Sequence, residues 1–218
     1  MELYPSMMCA DLGHLAREVE RLDAAGVDAF HCDVMDGSFV PNLALGTNDI
    51  RAIKAHTTKP VDAHLMIEDP LPKLDLFVGA GADVIYVHPE AERFVAKTLM
   101  TIRERGRRAG LAVDPDTPVS AVQDILSLVD CLMVMTVNPG FAGQAFLDFT
   151  LPKVKRFADL KKRFGYTLVI DGACSPERIA QLSDLGADAF VLGTSALFGK
   201  GDYVTSVRRL RRLAILDH

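Results

Sequence analysis

Short apolar runs return along this chain at close intervals, and the segments between them carry a different pattern. The runs fall at 3–8, 29–34, 61–66, 83–87, 109–113, 131–136, 166–170 and 189–192. Their apolarity is continuous rather than alternating, which predicts strands buried on both faces of a parallel sheet. The intervening segments are amphipathic. Asp11-Leu12 to Ala25 carries Leu15, Val19 and Leu22 at helical spacing, and Ala91 to Arg105, Leu151 to Phe164 and Pro176 to Leu185 read the same way. Three junctions share one spelling: Gly26-Val27-Asp28-Ala29-Phe30, Gly81-Ala82-Asp83-Val84-Ile85 and Gly186-Ala187-Asp188-Ala189-Phe190. In each, the glycine stops a helix and the aspartate occupies the turn before a strand. Eight strand-helix units in this length predict a (β/α)₈ TIM barrel with short connections, somewhat below the typical size of about 250 residues. An open doubly wound sheet is the alternative, and it would normally use fewer strands. No linker, low-complexity tract or charge block divides the chain, so residues 1–218 are expected to form a single domain.

Composition narrows the function classes. Hydrophobic residues make up 49% and charged residues 24%, enough apolar mass for a substantial core. The formal charge of −5 argues against a nucleic-acid partner, and the cluster Arg208, Arg209, Arg211 and Arg212 reads as a solvated helix face. The segment Met1 to Ser6 lacks the basic and apolar regions of a leader, and no apolar stretch reaches the roughly 20 residues that span a bilayer. No membrane partner is expected. Cys9, Cys32, Cys131 and Cys174 show no CxxC spacing, so neither a zinc knuckle nor a disulfide framework is expected, and a reduced, cytoplasmic setting is.

The polar residues inside the apolar runs carry the chemistry. His31 and Asp33 stand two apart at the end of strand two and share one face. An imidazole and a carboxylate there are costly to bury unless something pairs with them, and a metal ion pairs with both. In a (β/α)₈ barrel the active site gathers at the C-terminal ends of the strands. His64 at the end of strand three and Asp171 after strand seven would converge there with His31 and Asp33. Two imidazoles and two carboxylates suit one divalent metal ion, Zn²⁺, Mn²⁺, Co²⁺, Fe²⁺ or Mg²⁺. If Asp33 and Asp171 face each other across a substrate, one removes a proton and the other returns one on the opposite face. The metal would polarise a carbonyl and neutralise the resulting enediolate. The plainer reading of Asp171 is a cap for the helix starting near Ser175-Pro176. Turns at Asp171-Gly172-Ala173 and Gly193-Thr194-Ser195 follow strands seven and eight, where barrels commonly bind phosphate. The loop Asn138 to Gln144 carries hinge-like glycines around Phe141, as a lid would. Met35, Met66 and Met135, at or near strand ends, are candidates for an apolar wall around the metal. No predicted strand contains the buried lysine that a Schiff-base aldolase needs.

At these residues the sequence resembles the ribulose-phosphate 3-epimerase family nearly end to end. The matching motifs are Pro5-Ser6 with Asp11-Leu12, the stretch His31 to Asn42, Asp62 to Met66, Met135 to Gln144, Asp171-Gly172 and Gly193-Thr194-Ser195. The resemblance implies a barrel of the ribulose-phosphate-binding type with a divalent metal on His31, Asp33, His64 and Asp171. It implies that Asp33 and Asp171 form the acid/base pair that inverts C3 of a phosphorylated ketose. It also implies substrate contacts from Ser6, His64, Gly140, Phe141, Ala142, Gly143, Gly172, Ala173, Gly193, Thr194 and Ser195, and a homo-oligomer, dimer or hexamer. Met8-Cys9, Ala173-Cys174, His88-Pro89-Glu90 and Ala196-Leu197-Phe198 depart from the commonest pattern. These departures look more like the D-allulose-6-phosphate 3-epimerase branch, which points to conversion of D-allulose 6-phosphate to D-fructose 6-phosphate through a cis-2,3-enediolate. The pentose alternative is D-ribulose 5-phosphate to D-xylulose 5-phosphate. A non-catalytic sugar-phosphate binding protein is the alternative of another class, since fold alone does not fix function.

Overall fold

Eight parallel strands follow from the apolar runs: β1 (Glu2–Pro5), β2 (Phe30–Met35), β3 (Val61–Met66), β4 (Val84–Val87), β5 (Arg108–Val113), β6 (Cys131–Met135), β7 (Thr167–Asp171) and β8 (Ala189–Leu192). This is a computed structural model, and it describes residues 1–213. The strands pair in the order β1-β8-β7-β6-β5-β4-β3-β2. The ring closes between β1 and β2 through a parallel bridge from Ser6 to His31 and a bond from Asp28 N to Leu3 O at 3.0 Å. Around it lie α1 (Leu15–Ala25), α2 (Thr47–Ala55), α3 (Leu74–Ala80), α4 (Val95–Glu104), α5 (Leu151–Phe164), α6 (Pro176–Asp184) and α7 (Tyr203–Leu213). The expected barrel is therefore observed, with one irregular unit. After β5 the return leg is built from 3₁₀ turns at Val119–Ala121 and Gln123–Leu128, in a short stretch that also carries Pro115 and Pro118.

The repeated junction has a structural purpose. Gly26 and Gly81 end α1 and α3 at φ +86° and +97°, a left-handed conformation that glycine adopts without strain. The aspartates do more than fill a turn. Asp28 accepts the backbone N–H of Leu3, Asp83 that of Val61 and Asp188 that of Leu168, at 2.8, 2.9 and 2.8 Å. Asp130, in a junction without the glycine, accepts Ala109 N–H at 2.8 Å. Each aspartate before an even strand thus secures the first turn of the odd strand beside it. Each also pairs with a cation: Asp28 with Arg211, Asp83 with Lys54, Asp130 with Arg103 and Asp188 with Lys161.

The sheet divides the core in two. Leu3, Phe30, Leu65, Leu111, Leu168 and their neighbours pack outward against the helices. Tyr4, Tyr86, Ala112, Met133, Val169 and Val191 fill the barrel interior. Gly110 on β5 leaves room for the Tyr86 ring, since a Cβ there would stand 2.4 Å from Tyr86 Cδ1. Several boundaries differ from expectation. The first strand ends at Pro5, and Met7–Cys9 form a 3₁₀ turn instead. An apolar run does not by itself separate a strand from a buried turn, and Met7 is fully buried in the outer core. β2 runs on to Met35, which places His31 near its start, and Asp171 is the last residue of β7 rather than the first after it.

Candidate active site

Side chains on alternate strand positions point into the barrel, and here that face is unusually polar. β2 contributes His31 and Asp33, β3 contributes Asp62 and His64, and His31 pairs in register with Asp62 while Asp33 pairs with His64. Asp171 completes the group from β7, and His88 follows β4. His31, His64 and His88 are fully buried. Donor atoms of His31, Asp33, His64 and Asp171 all lie within 4.8 Å of one another. His31 Nε2 is 3.1 Å from Asp33 Oδ1 and 3.8 Å from Asp171 Oδ2. His64 Nδ1 is 3.3 Å from Asp33 Oδ1 and 3.5 Å from Asp171 Oδ2. The four expected ligands therefore converge.

The donor set fits a divalent cation on electrostatic grounds. Burial would raise both carboxyls. At Asp33 the charge and hydrogen bonds of His31, then those of His64, outweigh it and hold the group well below the usual range. At Asp171 burial prevails and repulsion from Asp33 adds to it, so this carboxyl is raised. Two carboxylates this close resist ionising together unless a positive charge lies between them. The His64 imidazole is prepared to ligate. Burial pushes His64 down to about 3 against the pull of Asp33, so the ring is neutral. His31 Nδ1 lies 2.7 Å from Asp62 Oδ1, which leaves Nε2 facing the cluster. The Ser6 hydroxyl donates to Asp33 Oδ2 at 2.5 Å and fixes the carboxylate from its other side.

Above this cluster opens a pocket lined by Ser6, Asp33 and Asp171, by Gly140, Phe141, Ala142 and Gly143, by Gly172 and Ala173, and by Gly193, Thr194 and Ser195. The expected substrate-contacting positions are thus brought together, except that His64 lies outside the pocket lining, among the four clustered donors. Met35, Met66 and Met135 line the same pocket and are nearly fully buried. The loop expected to act as a lid is tied down in part, because Asn42 Nδ2 donates to Gly140 O at 2.7 Å. Asp171 does not cap α6; Ser175 does, its hydroxyl accepting from Arg178 N–H at 3.3 Å. Ala173 stands at φ +48°, a left-handed conformation uncommon for alanine.

The sequence reading passed over Asp62 as a site residue. The signal was available, because Asp62-x-His64 repeats on β3 the same-face argument that singled out His31-x-Asp33 on β2. It also passed over Asp114, whose partner His88 is distant in sequence. Cys9 and Met8 line the pocket as well.

Comparison with known proteins agrees with this geometry. Residues 2–198 match the model of the "Ribulose-phosphate 3 epimerase family". The ribulose-phosphate 3-epimerase of Bacillus subtilis is 37% identical over 214 residues, covering 97% of this chain and 98% of that protein. The Synechocystis ribulose-phosphate 3-epimerase is 38% identical, covering 95% and 91%. Among solved structures, KGPDC from Streptococcus mutans in complex with D-R5P superposes with a TM-score of 0.76 at 14% identity, covering 98% and 96%. A 3-hexulose-6-phosphate synthase from Salmonella typhimurium gives 0.69 at 21% identity with full coverage of both chains. These two likenesses speak for the fold alone.

Proposed function

Because the chain belongs to the ribulose-phosphate 3-epimerase family, we propose that it is a metal-dependent epimerase acting at C3 of a phosphorylated ketose. The observation that carries this reading is the convergence of two imidazoles and two carboxylates within 4.8 Å beneath a pocket whose far side is glycine-bearing turns. His31, Asp33, His64 and Asp171 would hold the metal. Once bound, it supplies Lewis acidity toward the substrate carbonyl and neutralises negative charge that develops on that oxygen.

The rest falls to the chain. Asp33 removes the C3 proton from one face, and Asp171 delivers a proton to the other, with the roles exchanged in reverse. Environments that drive two carboxyls apart, one low and one raised, are those of a base and an acid. Backbone N–H groups around Gly172-Ala173 and Gly193 to Ser195 receive the phosphate. Met35, Met66 and Met135 exclude water around the planar intermediate, and the segment Gly140 to Gly143 closes over it. A cytoplasmic enzyme that works as a homo-oligomer belongs to the same reading. Among the described residues no helix is long and apolar enough to cross a membrane.

The names of the relatives favour D-ribulose 5-phosphate as substrate. D-allulose 6-phosphate is the second reading. It rests on Cys9 and Ala173, both in the pocket wall, with the Cys9 sulfur near the Gly193 turn. The deciding experiment compares kcat/KM for both phosphates on enzyme stripped of metal and reloaded with one defined ion. Interconversion of neither phosphate by the loaded enzyme would sink the epimerase reading, and a strong preference between them assigns the sugar.

A further inference from the structure

His88 is fully buried beside the proposed metal centre but is not one of its four donors. Its Nε2 lies 2.7 Å from His64 Nε2. The ring planes are 25° from coplanar with centroids 4.9 Å apart, so the two imidazoles meet edge to edge. On its other edge, His88 Nδ1 lies 2.9 Å from Asp114 Oδ1 and 3.4 Å from Glu90 Oε2. Those carboxylates are held in turn. Glu90 Oε1 accepts Asp114 N–H at 3.1 Å and the Thr117 hydroxyl. Lys153 Nζ donates to the carbonyls of Asp114 and Pro115 at 2.7 and 2.6 Å.

His88, Glu90 and Asp114 have the composition of a second metal site, and their donor atoms also lie within 4.8 Å of one another. Counting protons decides against that. A contact of 2.7 Å between two ring nitrogens holds one proton. His64 turns Nδ1 toward Asp33 and Asp171, and a nitrogen that ligates is bare, so a ligating His64 carries its proton on Nε2. That proton is donated to His88 Nε2, which must then be bare. The His88 proton sits on Nδ1, facing Asp114 and Glu90, and a protonated nitrogen does not ligate. While His64 serves the centre, the second cluster is an orienting chain.

We propose that His88 is a positioning residue that, with Asp114 and Glu90 behind it, fixes His64 in the tautomer whose Nδ1 is free to bind metal. The proposal rests on the divalent-centre reading given above. It makes the two histidine ligands equivalent in design: Asp62 backs His31 directly, and Asp114 with Glu90 backs His64 through an intervening imidazole.

The test measures metal affinity of the full-length protein by chelator competition, together with the visible spectrum of the Co²⁺-loaded form. His88→Phe keeps a ring against Phe39 and removes the acceptor. It is expected to weaken metal binding by about 10–100-fold and to shift the Co²⁺ bands. His88→Gln retains an acceptor for His64 and a donor for Asp114, and should recover part of that loss. Asp114→Ala alters only the far end of the chain and should move affinity in the same direction, which keeps the test open if His88→Phe does not fold. Affinity within about twofold of wild type with an unchanged Co²⁺ spectrum in His88→Phe, or in Asp114→Ala where the Phe variant does not fold, would overturn the proposal. So would equal losses in the Phe and Gln variants, which would mark a packing role. Failure of the underlying centre has a separate signature: wild type would bind no metal, or His64→Ala would bind it unchanged, and the proposal would fall with it.

Discussion

Gly172→Ala probes the junction that aims Asp171 into the site. Gly172 has φ +121°, and a Cβ built on it would stand 2.8 Å from Val137 N, 2.8 Å from Val137 Cγ2 and 3.0 Å from Thr136 Oγ1. Two of these atoms are backbone or hydrogen-bonded, and Val137 is buried. Thr136 N donates to Asp171 O at 2.8 Å, and the Thr136 hydroxyl donates to Gly172 O at 2.6 Å, so the ends of β6 and β7 are stitched together here. A side chain at this φ costs about 1–3 kcal/mol in backbone strain. Forcing a methyl against packed backbone costs about 1–3 kcal/mol more. The sum is about 2–6 kcal/mol, at about 2–4 °C in Tm per kcal/mol for a chain of this size. Gly143→Ala is the internal control. Its φ is +82°, but nothing lies within 4 Å of the added Cβ, so only the strain of about 1–2 kcal/mol applies. Urea unfolding of both variants, with m unchanged, gives the comparison directly. Turnover of Gly172→Ala should fall beyond its loss of folded protein, because Asp171 is displaced. If Gly172→Ala is no less stable than Gly143→Ala, the reasoning from backbone contact is wrong.

Three other outcomes follow from the same geometry. Asp171→Asn should lower epimerisation by about 10²–10⁴-fold with the fold retained, while the epimer whose C3 hydrogen faces Asp33 still exchanges that hydrogen with deuterated solvent; full activity, read by NMR, would refute the two-carboxylate mechanism. Asp188→Ala strands the buried Leu168 N–H and removes the Lys161 pair, so unfolding free energy should drop by about 1–3 kcal/mol with kcat per folded molecule unchanged. Ala173→Gly relieves a left-handed alanine at φ +48° but loosens the unfolded chain, so stability should change by no more than about 1 kcal/mol. The informative readout of that variant is the ratio of kcat/KM for the pentose and hexose phosphates, and an unmoved ratio would remove Ala173 from the substrate question.

Much of the barrel is readable from the runs themselves. β3 and β8 begin and end where the apolar stretches do, and α5 spans the expected 151–164. The ends of β1 and the return leg after β5 are not readable, because buried 3₁₀ turns have the same local polarity as strand or helix. The four donors are legible for a different reason. Each is a charged or ionisable group in an otherwise apolar run, and burying such a group has no local explanation. Asp62 met that criterion too, but its partner His31 lies on the neighbouring strand, and the register that joins them is a tertiary fact. Asp114 lies after β5, and only the ring position of His88 gives it meaning. The aspartate before β6 escaped the repeat because Leu128-Val129-Asp130 lacks the glycine, although Asp130 performs the same backbone contact.

The placement of polar groups at the two ends of the barrel explains how so charged an interior is tolerated. At the N-terminal end, Asp28, Asp83, Asp130 and Asp188 each accept a strand N–H and face a cation, so each of these four charges is answered within the fold. At the C-terminal end the balance differs. Asp33 and Asp171 crowd His31 and His64, and burial with repulsion from Asp33 raises the carboxyl of Asp171. An arrangement of that kind weakens the fold in isolation, and the tightly stitched opposite end offsets the cost. Two ends with separate duties make a further distinction between residues. Changes to the junction aspartates should alter unfolding without altering turnover, and changes among the buried histidines and their carboxylate partners should alter turnover, with unfolding following only through weaker metal binding. His88 belongs to the second class by this argument: it does not line the pocket, and its Nε2 meets His64, one of the four residues proposed to hold the metal.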